Sequence, residues 1–381
     1  MATLQSTTFG QNGHITLPAG AVGTRPTPAA GMIRYNNTSG TKLLEFYDGS
    51  VWRPVTGISA GSVGTGGDSI TYGNNSIVHL YTTVSSTATF TPAFTGNVQV
   101  LVVAGGGGAG YDWCGGAGGG GVIFNRNFPV SSGTPYPITV GAGGAGGNSG
   151  NLGWAYRGVT GSNSIFSTLT ASGGGGSGAW NGPNTSRPNS DGNYLNTGLP
   201  GGSGGGGGNT GDTTDSRTRV YQGLGTDGQG FPGGSGMRFD SDSNNNHHSG
   251  SGGGAGGPGA QSNDNQRGVY DMTRGGQGRA TDVLGQTLYF GGGGGGGAHM
   301  AMGRTAGFEG GIGGGGGGTS HHGGPIRGGG PFQSVGGGKS LNAGADGSGN
   351  TGGAGGVNTG GGGGGGQHGS PGGSGVVIIK Y

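Results

Sequence analysis

Residues 98–121 read VQVLVVAGGGGAGYDWCGGAGGGG, an apolar run that leads straight into glycine. The sequence GSGVVIIKY at 373–381 mirrors this arrangement, because a second apolar run leaves glycine there. Continuous apolar runs of this length are typical of buried strands. The two runs are therefore expected to pair with each other and to clamp the glycine-rich body between them.

Glycine supplies 113 of 381 residues, whereas an average protein has about 7%. Each interior glycine costs a helix about 0.8–1.0 kcal/mol relative to alanine, and no stretch repeats apolar residues at the helical period. Strand-like segments at 77–81, 88–90, 135–140 and 164–171 add to the two apolar runs. We predict a fold that is mostly β and irregular, with almost no α-helix.

Glycine runs recur at 105–108, 118–121, 173–176, 204–208, 291–297, 313–318 and 360–366. Their spacing is not a strict triplet, which excludes collagen. A glycine run can adopt a polyproline-II-type helix with three residues per turn. Because it lacks side chains, such a helix can pack against six neighbours and exchange backbone hydrogen bonds with them. We predict a sandwich of these polyglycine-II helices; the alternative suggested by the Pro and Gly content is disorder.

The chain divides into three parts by composition. Residues 1–57 have ordinary glycine content and predict a small β-meander, with strands at 32–36, 43–47 and 51–55. Three short strands are marginally stable alone, so Tyr35, Phe46, Tyr47 and Trp52 are expected to be covered by neighbouring chains in a trimer. Residues 58–75 predict a flexible Gly/Ser/Thr linker, and residues 76–381 form the glycine-rich domain with framing strands.

The amino-terminal part resembles the amino-terminal modules of phage tail-fibre proteins. The match is carried by Gly23-Thr24-Arg25-Pro26, by Gly31 to Asn36, and by Glu45 to Trp52, with one extra residue between Glu45 and Tyr47. This resemblance implies a module that attaches to the virion or supports oligomerisation.

The region from about 98 to 381 is similar to the glycine-rich domain of phage tail-fibre adhesins, including those at the fibre tips of some T-even-type phages. The resembling stretches are Val100 to Gly105, Thr139 to Gly144, Asn163 to Phe166 with Ala171, and Gly373 to Ile379. The resemblance implies a sandwich of glycine helices whose connecting loops at the distal end bind the host surface.

Charge and targeting signals exclude several classes of protein. Charged residues are 8% of the chain and the formal net charge is +2, so no nucleic-acid partner is indicated. No run is long enough to insert into a membrane, and the amino terminus lacks a secretory signal. Cys114 is the single cysteine and cannot form an intrachain disulfide. We expect a virion appendage that is made in the host cytoplasm and released by lysis.

Motifs for catalysis, cofactors and metals fail on inspection. Gly223 to Gly228 fits a dinucleotide pattern without a βαβ context, and Gly336 to Ser340 lacks the first glycine and the helix of a phosphate loop. Gly201 to Gly205 has the nucleophile-elbow spelling without its strand and helix. Asp240 to Asn244 begins like a calcium loop, but Asn245 replaces the required glycine. We predict no enzyme activity, no cofactor and no metal site, although a looser calcium site stays open.

The connections between the glycine runs carry aromatic, Arg, His and Asn residues, a mixture typical of binding surfaces. The alternative is that the aromatic side chains seal the ends of the glycine stack. Alternate connections must face opposite ends, so about half can share one surface. The candidate receptor-binding residues are Tyr111, Trp113, Trp180, Tyr194, Tyr221, Phe239, His247, His248, Tyr270, His299, Phe308, His321 and His322.

These observations favour a phage tail-fibre adhesin that binds a host cell-envelope receptor, either a glycan or an outer-membrane protein. Its other expected partners are virion proteins, and it would form a homotrimer or cap a trimeric fibre. A capsid decoration or head fibre with the same fold and no receptor role is the first alternative. A silk-like or cell-wall glycine-rich protein is the second, and an enzyme is the third.

Overall fold

The computed structural model describes residues 19–24, 27, 29–38, 43–54, 63–73, 76–147, 157–180, 195–209, 219–238, 247–262, 274–299, 309–319 and 340–381. The chain forms two compact units, Met1–Val63 and Gly64–Tyr381. Among the described residues there is no α-helix, and one short 3-10 turn spans Val22–Thr24. The prediction of a mostly β and irregular fold is confirmed.

The first unit is a four-stranded sheet of consecutive strands: β1 (Ala19–Gly20), β2 (Ile33–Asn36), β3 (Leu43–Tyr47) and β4 (Trp52–Pro54). Strands β2, β3 and β4 pair antiparallel in chain order, which confirms the predicted meander. The parallel pairing of β1 with β2 was not predicted.

Polar side chains occupy the covered face of this small sheet. Arg34, Asn36 and Glu45 are buried, and the Asn36 side-chain amide donates to the Glu45 carboxylate at 2.9 Å. The alternate residues on β2 are exposed, with Ile33 at 49% and Tyr35 at 37%. The sheet therefore directs its buried polar network to one face and apolar side chains to the solvent.

The second unit is organised by a five-stranded sheet with the order β5-β6-β19-β8-β9. These strands are β5 (Ser69–Gly73), β6 (Ser76–Tyr81), β8 (Gly96–Val103), β9 (Val122–Val130) and β19 (Val376–Lys380). The two apolar runs pair antiparallel, with Val376 opposite Val103 and Ile379 opposite Val100. The predicted clamp around the glycine-rich body is confirmed.

Both faces of the five-stranded sheet are covered, which explains the continuous apolar stretches Val100–Val103 and Val376–Ile379 in its central strands. One face packs on a four-stranded sheet of β7 (Ser85–Phe90), β10 (Tyr136–Val140), β11 (Ser164–Phe166) and β12 (Leu169–Ala171). The other face packs on the hairpin of β16 (Arg279–Thr281) and β17 (Leu288–Phe290).

The predicted flexible linker at 58–75 is wrong in its second half. Strand β5 lies there and pairs with β6 along its whole length, while Thr65 forms a bridge with Thr91. The sequence of β5 is compatible with a strand when a partner strand is present, and the composition of a single segment does not reveal that partner. Residues 58–62 lie outside the described part of the chain.

The carboxyl-terminal tyrosine ties the start of this unit to the sheet. Its hydroxyl accepts a hydrogen bond from the Gly64 N–H at 2.8 Å and lies 2.9 Å from Nε2 of His79. The other ring nitrogen of His79 lies 2.6 Å from the Gly66 carbonyl oxygen. Burial lowers the pKa of His79, so this histidine holds the junction in its neutral form.

The glycine-rich segments between the strands lie side by side with their axes parallel and form an array, here called the glycine bundle. It consists of 104–121, 141–147, 157–163, 172–180, 195–209, 219–238, 247–262, 274–278, 291–299, 309–319 and 340–375. Segment 104–110 exchanges backbone hydrogen bonds with six others, which are 114–121, 141–147, 157–163, 172–179, 360–366 and 369–375. The prediction that glycine helices pack against six neighbours is confirmed.

Within each segment the direction of hydrogen bonding repeats every three residues. Gly105 and Gly108 both donate to segment 157–163, at 3.0 and 2.8 Å. The residues that follow each of them donate instead to segment 369–375, at 2.9 and 2.8 Å. This is the period of the polyproline-II helix, and it sends successive N–H groups to different neighbours around the helix axis.

Four short strands complete the bundle: β13 (Arg219–Val220), β14 (Gly236–Arg238), β15 (His247–His248) and β18 (Ala298–His299). They form a small antiparallel sheet with the order β13-β14-β15-β18.

Candidate functional site

The glycine bundle has two different ends. The strand end joins the framing sheets, because β8 leads into Ala104 and β9 follows Gly121. The chain leaves the sheet along 104–110 and returns along 114–121, so the turn at Tyr111–Trp113 lies at the opposite end. We call that opposite end the loop end.

Backbone hydrogen bonds bring the ends of the other connections to the same level as this turn. The Trp180 N–H donates to the Tyr111 carbonyl at 3.3 Å, and the Ala179 N–H donates to the Leu195 carbonyl at 3.0 Å. The Gly297 N–H donates to the Cys114 carbonyl at 3.0 Å, which brings the β13-β14-β15-β18 sheet to this end. The connections that leave the bundle here follow Gly147, Trp180, Asn209, Arg238, Ser262, His299 and Thr319.

The Tyr111–Trp113 turn is held in a strained conformation. Asp112 and Trp113 have φ angles of 64° and 50°, a region that residues other than glycine rarely adopt. The turn is fixed from two sides, because the Asp112 N–H donates to the Gln367 carbonyl at 2.8 Å and the Ser249 hydroxyl donates to the Trp113 carbonyl at 2.6 Å. Strain that surrounding contacts maintain is concentrated at functional sites in proteins.

Five side chains around this turn form a mixed aromatic and amide surface, here called the loop-end patch: Tyr111, Trp180, Asn350, Gln367 and His368. The rings of Tyr111 and His368 lie 5.6 Å apart between centroids, tilted by 57°. The Asn350 side-chain amide donates to Oε1 of Gln367 at 2.7 Å. Trp180 is 37% exposed. The patch therefore combines aromatic rings and side-chain amide groups at the loop end.

The candidate residues predicted from the sequence lie in different places in the described part of the structure. Tyr111 and Trp180 come together in the loop-end patch, whereas Trp113 is 6% exposed and fits the alternative of a residue that seals the stack. Tyr221 is 74% exposed and directly follows β13, where its carbonyl accepts a hydrogen bond from the Gly198 N–H. Burial lowers the pKa of His248 to about 4, so it is neutral at physiological pH.

Several predicted residues are placed only in part or not at all. The backbones of His247 and His299 pair across neighbouring strands β15 and β18, and their side chains lie outside the description. Tyr194, Phe239, Tyr270, Phe308, His321 and His322 all lie outside the described residues.

Asn350, Gln367 and His368 belong to the loop-end patch but are not among the candidates that the sequence predicts. These residues lie in short connections between glycine runs, one at Ser348–Thr351 and one at Gln367–His368. The signal that could have found them is the alternation of chain direction. Counting each glycine segment as one crossing of the bundle assigns these two turns to the end that holds Tyr111.

Ionisable groups in the described part of the bundle show no arrangement for metal binding or nucleophilic chemistry. No group of three or more His, Cys, Asp or Glu residues in the described ranges could hold a metal ion. Burial raises the pKa of the Cys114 thiol to about 11, so the thiolate needed for reaction is scarce at neutral pH. Among the described residues, no helix is long and apolar enough to cross a bilayer.

Comparison with protein families identifies the bundle. A family model described as a glycine-rich domain matches residues 82–331. The chain belongs to this glycine-rich domain family. The match to the glycine-rich domain begins just after β6 and takes in most of the bundle, including the Tyr111–Trp113 turn and Trp180. No curated protein matches the chain.

Proposed function

We propose that this chain is a bacteriophage tail-fibre or adhesin protein that binds a host-envelope receptor through the loop end of its glycine bundle. One observation carries the proposal: the connections rich in aromatic, Arg and His residues depart from a single end, opposite the framing sheets. A rigid scaffold that carries chemically varied loops at one end is the common architecture of binding proteins. The aromatic and Arg content of those connections is what binding hot spots use.

The amino-terminal unit, in this proposal, attaches the chain to other virion proteins and supports oligomerisation as a homotrimer or as a cap on a trimeric fibre. Its support is the uncovered apolar face of the small sheet, where Ile33, Tyr35 and Leu44 are 49%, 37% and 39% exposed. Tyr35 pairs with Leu44 across β2 and β3, and Ile33 lies two residues before Tyr35 on the same face of β2. A sheet this small needs a partner to cover its apolar side chains.

The proposal is tested by adsorption of the fluorescently labelled full chain to a panel of bacterial strains. Trp180→Ala removes an exposed ring at the loop end, and we expect it to weaken binding by about 2 kcal/mol, or about 30-fold. The matched control is Val357→Ala, which truncates a side chain that is 57% exposed in a turn at the strand end. The control should bind like the wild type.

Two results would count against receptor binding. If replacing the connections at the loop end leaves adsorption unchanged in folded protein, the chain is a capsid decoration or head fibre instead. The proposal also holds that the chain binds its receptor without cleaving it, since no described residues form a catalytic constellation. Release of reducing ends from host polysaccharide by the purified chain would contradict it.

A further inference from the structure

The loop-end patch has two kinds of recognition group. The tilted rings of Tyr111 and His368, 5.6 Å apart, and the exposed ring of Trp180 have apolar faces and polar edges. The backbones of Trp180 and Tyr111 are joined, because the Trp180 N–H donates to the Tyr111 carbonyl at 3.3 Å. The C–H face of a sugar ring is complementary to such apolar ring faces.

The amide pair adds hydrogen-bonding groups of both signs. Asn350 uses one amide hydrogen to bond Gln367 at 2.7 Å. Within the described part of the chain, the Oδ1 atom of Asn350 and the Nε2 atom of Gln367 have no protein partner. One is an acceptor and the other a donor. Neighbouring hydroxyl groups, each both donor and acceptor, can satisfy the two atoms together.

The lack of basic side chains in the patch limits the class of ligand that it can bind. None of the five side chains of the patch is Arg or Lys, the residues that bind phosphate and carboxylate groups. The Tyr111–Trp113 turn likewise contains no Arg or Lys. The patch is therefore suited to an uncharged ligand rich in hydroxyl groups.

The hydrogen bonds that order the patch allow a ligand to bind through few contacts. The turn is fixed at Asp112 and Trp113 by hydrogen bonds from two neighbouring segments, and the His368 N–H donates to the Asn350 carbonyl at 3.0 Å. A surface that is already ordered loses little conformational entropy on binding. Few contacts then suffice for measurable affinity.

We infer that the loop-end patch binds a neutral sugar of the host envelope, with its rings against the sugar face and the Asn350–Gln367 pair on adjacent hydroxyls. This inference rests on the proposed receptor-binding function and names the chemical class of the receptor.

The test uses cells to which the wild-type full chain adsorbs, treated either with sodium periodate, which cleaves vicinal diols, or with proteinase K. We expect adsorption to fall about tenfold or more after periodate and to stay within about twofold after protease. Trp180→Ala should lose about 30-fold in binding, whereas Trp180→Phe, which keeps a ring, should lose less than about threefold.

Gln367→Glu is the second variant, because it keeps the shape of the side chain and removes its donor. We expect it to weaken adsorption about fivefold or more with an unchanged melting temperature. Adsorption that survives periodate and disappears after protease overturns the sugar inference and leaves the receptor-binding function standing. Wild-type protein that adsorbs to no untreated strain contradicts the proposed function itself. Full adsorption by folded Trp180→Ala and Gln367→Glu protein would show that the patch is not the site.

Discussion

A single methyl group in the middle of the bundle should destabilise the protein strongly. A Cβ at Gly294 would overlap the carbonyl of Gly363, well inside the 3.0 Å that real Cβ atoms keep from other heavy atoms. The 360–366 segment must then retreat by roughly 1 Å, which is large on the scale of hydrogen-bond geometry. Gly294→Ala therefore tests whether backbone packing holds the fold.

The magnitude follows from the bonds at the two positions. Gly294 donates to Ala117 at 2.8 Å and accepts from Gly252 at 2.9 Å. Gly363 accepts from Ala117 at 2.8 Å and donates to Gly107 at 3.0 Å. Each buried bond contributes about 1 kcal/mol net, so loss of all four costs about 4 kcal/mol. In a unit of this size that lowers the melting temperature by about 8 °C, at roughly 2 °C per kcal/mol.

The assay is a thermal melt of Gly294→Ala beside Gly96→Ala. The control adds the same methyl group in β8, where the nearest atom is a Phe94 ring carbon at 3.4 Å, an ordinary contact. We expect the control to melt close to the wild type. If Gly294→Ala melts within about 2 °C of Gly96→Ala, backbone packing is not what stabilises the bundle.

Three further outcomes follow from the burial or exposure of particular side chains. Burial lowers the pKa values of His79 and His248 below the ordinary 6.5, so the unfolded chain binds more protons than the folded chain below that pH. The melting temperature should therefore be constant above about pH 6.5 and fall as the pH drops below it. In His248→Asn this fall should be less steep. The Cys114 thiol should resist Ellman's reagent at pH 8 in native protein and react fully in guanidinium, because its pKa is raised to about 11. Ile33→Ser with Leu44→Ser should shift the sedimenting species towards monomer, and an unchanged oligomer would argue against that interface.

The sequence predicts the elements whose side chains specify them. The stretches Val100–Val103 and Val376–Ile379 are apolar at every position, and their pairing follows from their places on either side of the glycine body. The meander is readable because the Asp48-Gly49 turn separates two strands. The six-neighbour packing also follows from glycine chemistry alone.

The sequence could not predict which glycine segments are neighbours. A run such as 360–366 carries no side chains that would distinguish one partner from another, so the framing strands and the turns set its position and register. The same reason hides the loop-end patch, since Tyr111 and His368 are far apart in sequence and meet only because segments 104–110 and 369–375 are adjacent. Composition does not distinguish a ring that seals the stack from one that is exposed to solvent, which is why the burial of Trp113 could not be predicted.

The six-neighbour packing of glycine segments has a thermodynamic consequence. Burial of apolar surface gives unfolding a large positive heat-capacity change, whereas exposure of buried polar surface lowers it. The bundle buries mostly peptide groups, so its unfolding should have a smaller heat-capacity change per residue than that of an ordinary globular domain. A small heat-capacity change flattens the curve of stability against temperature. The free energy of unfolding of the scaffold that carries the loops would then change little between low temperature and the body temperature of an animal.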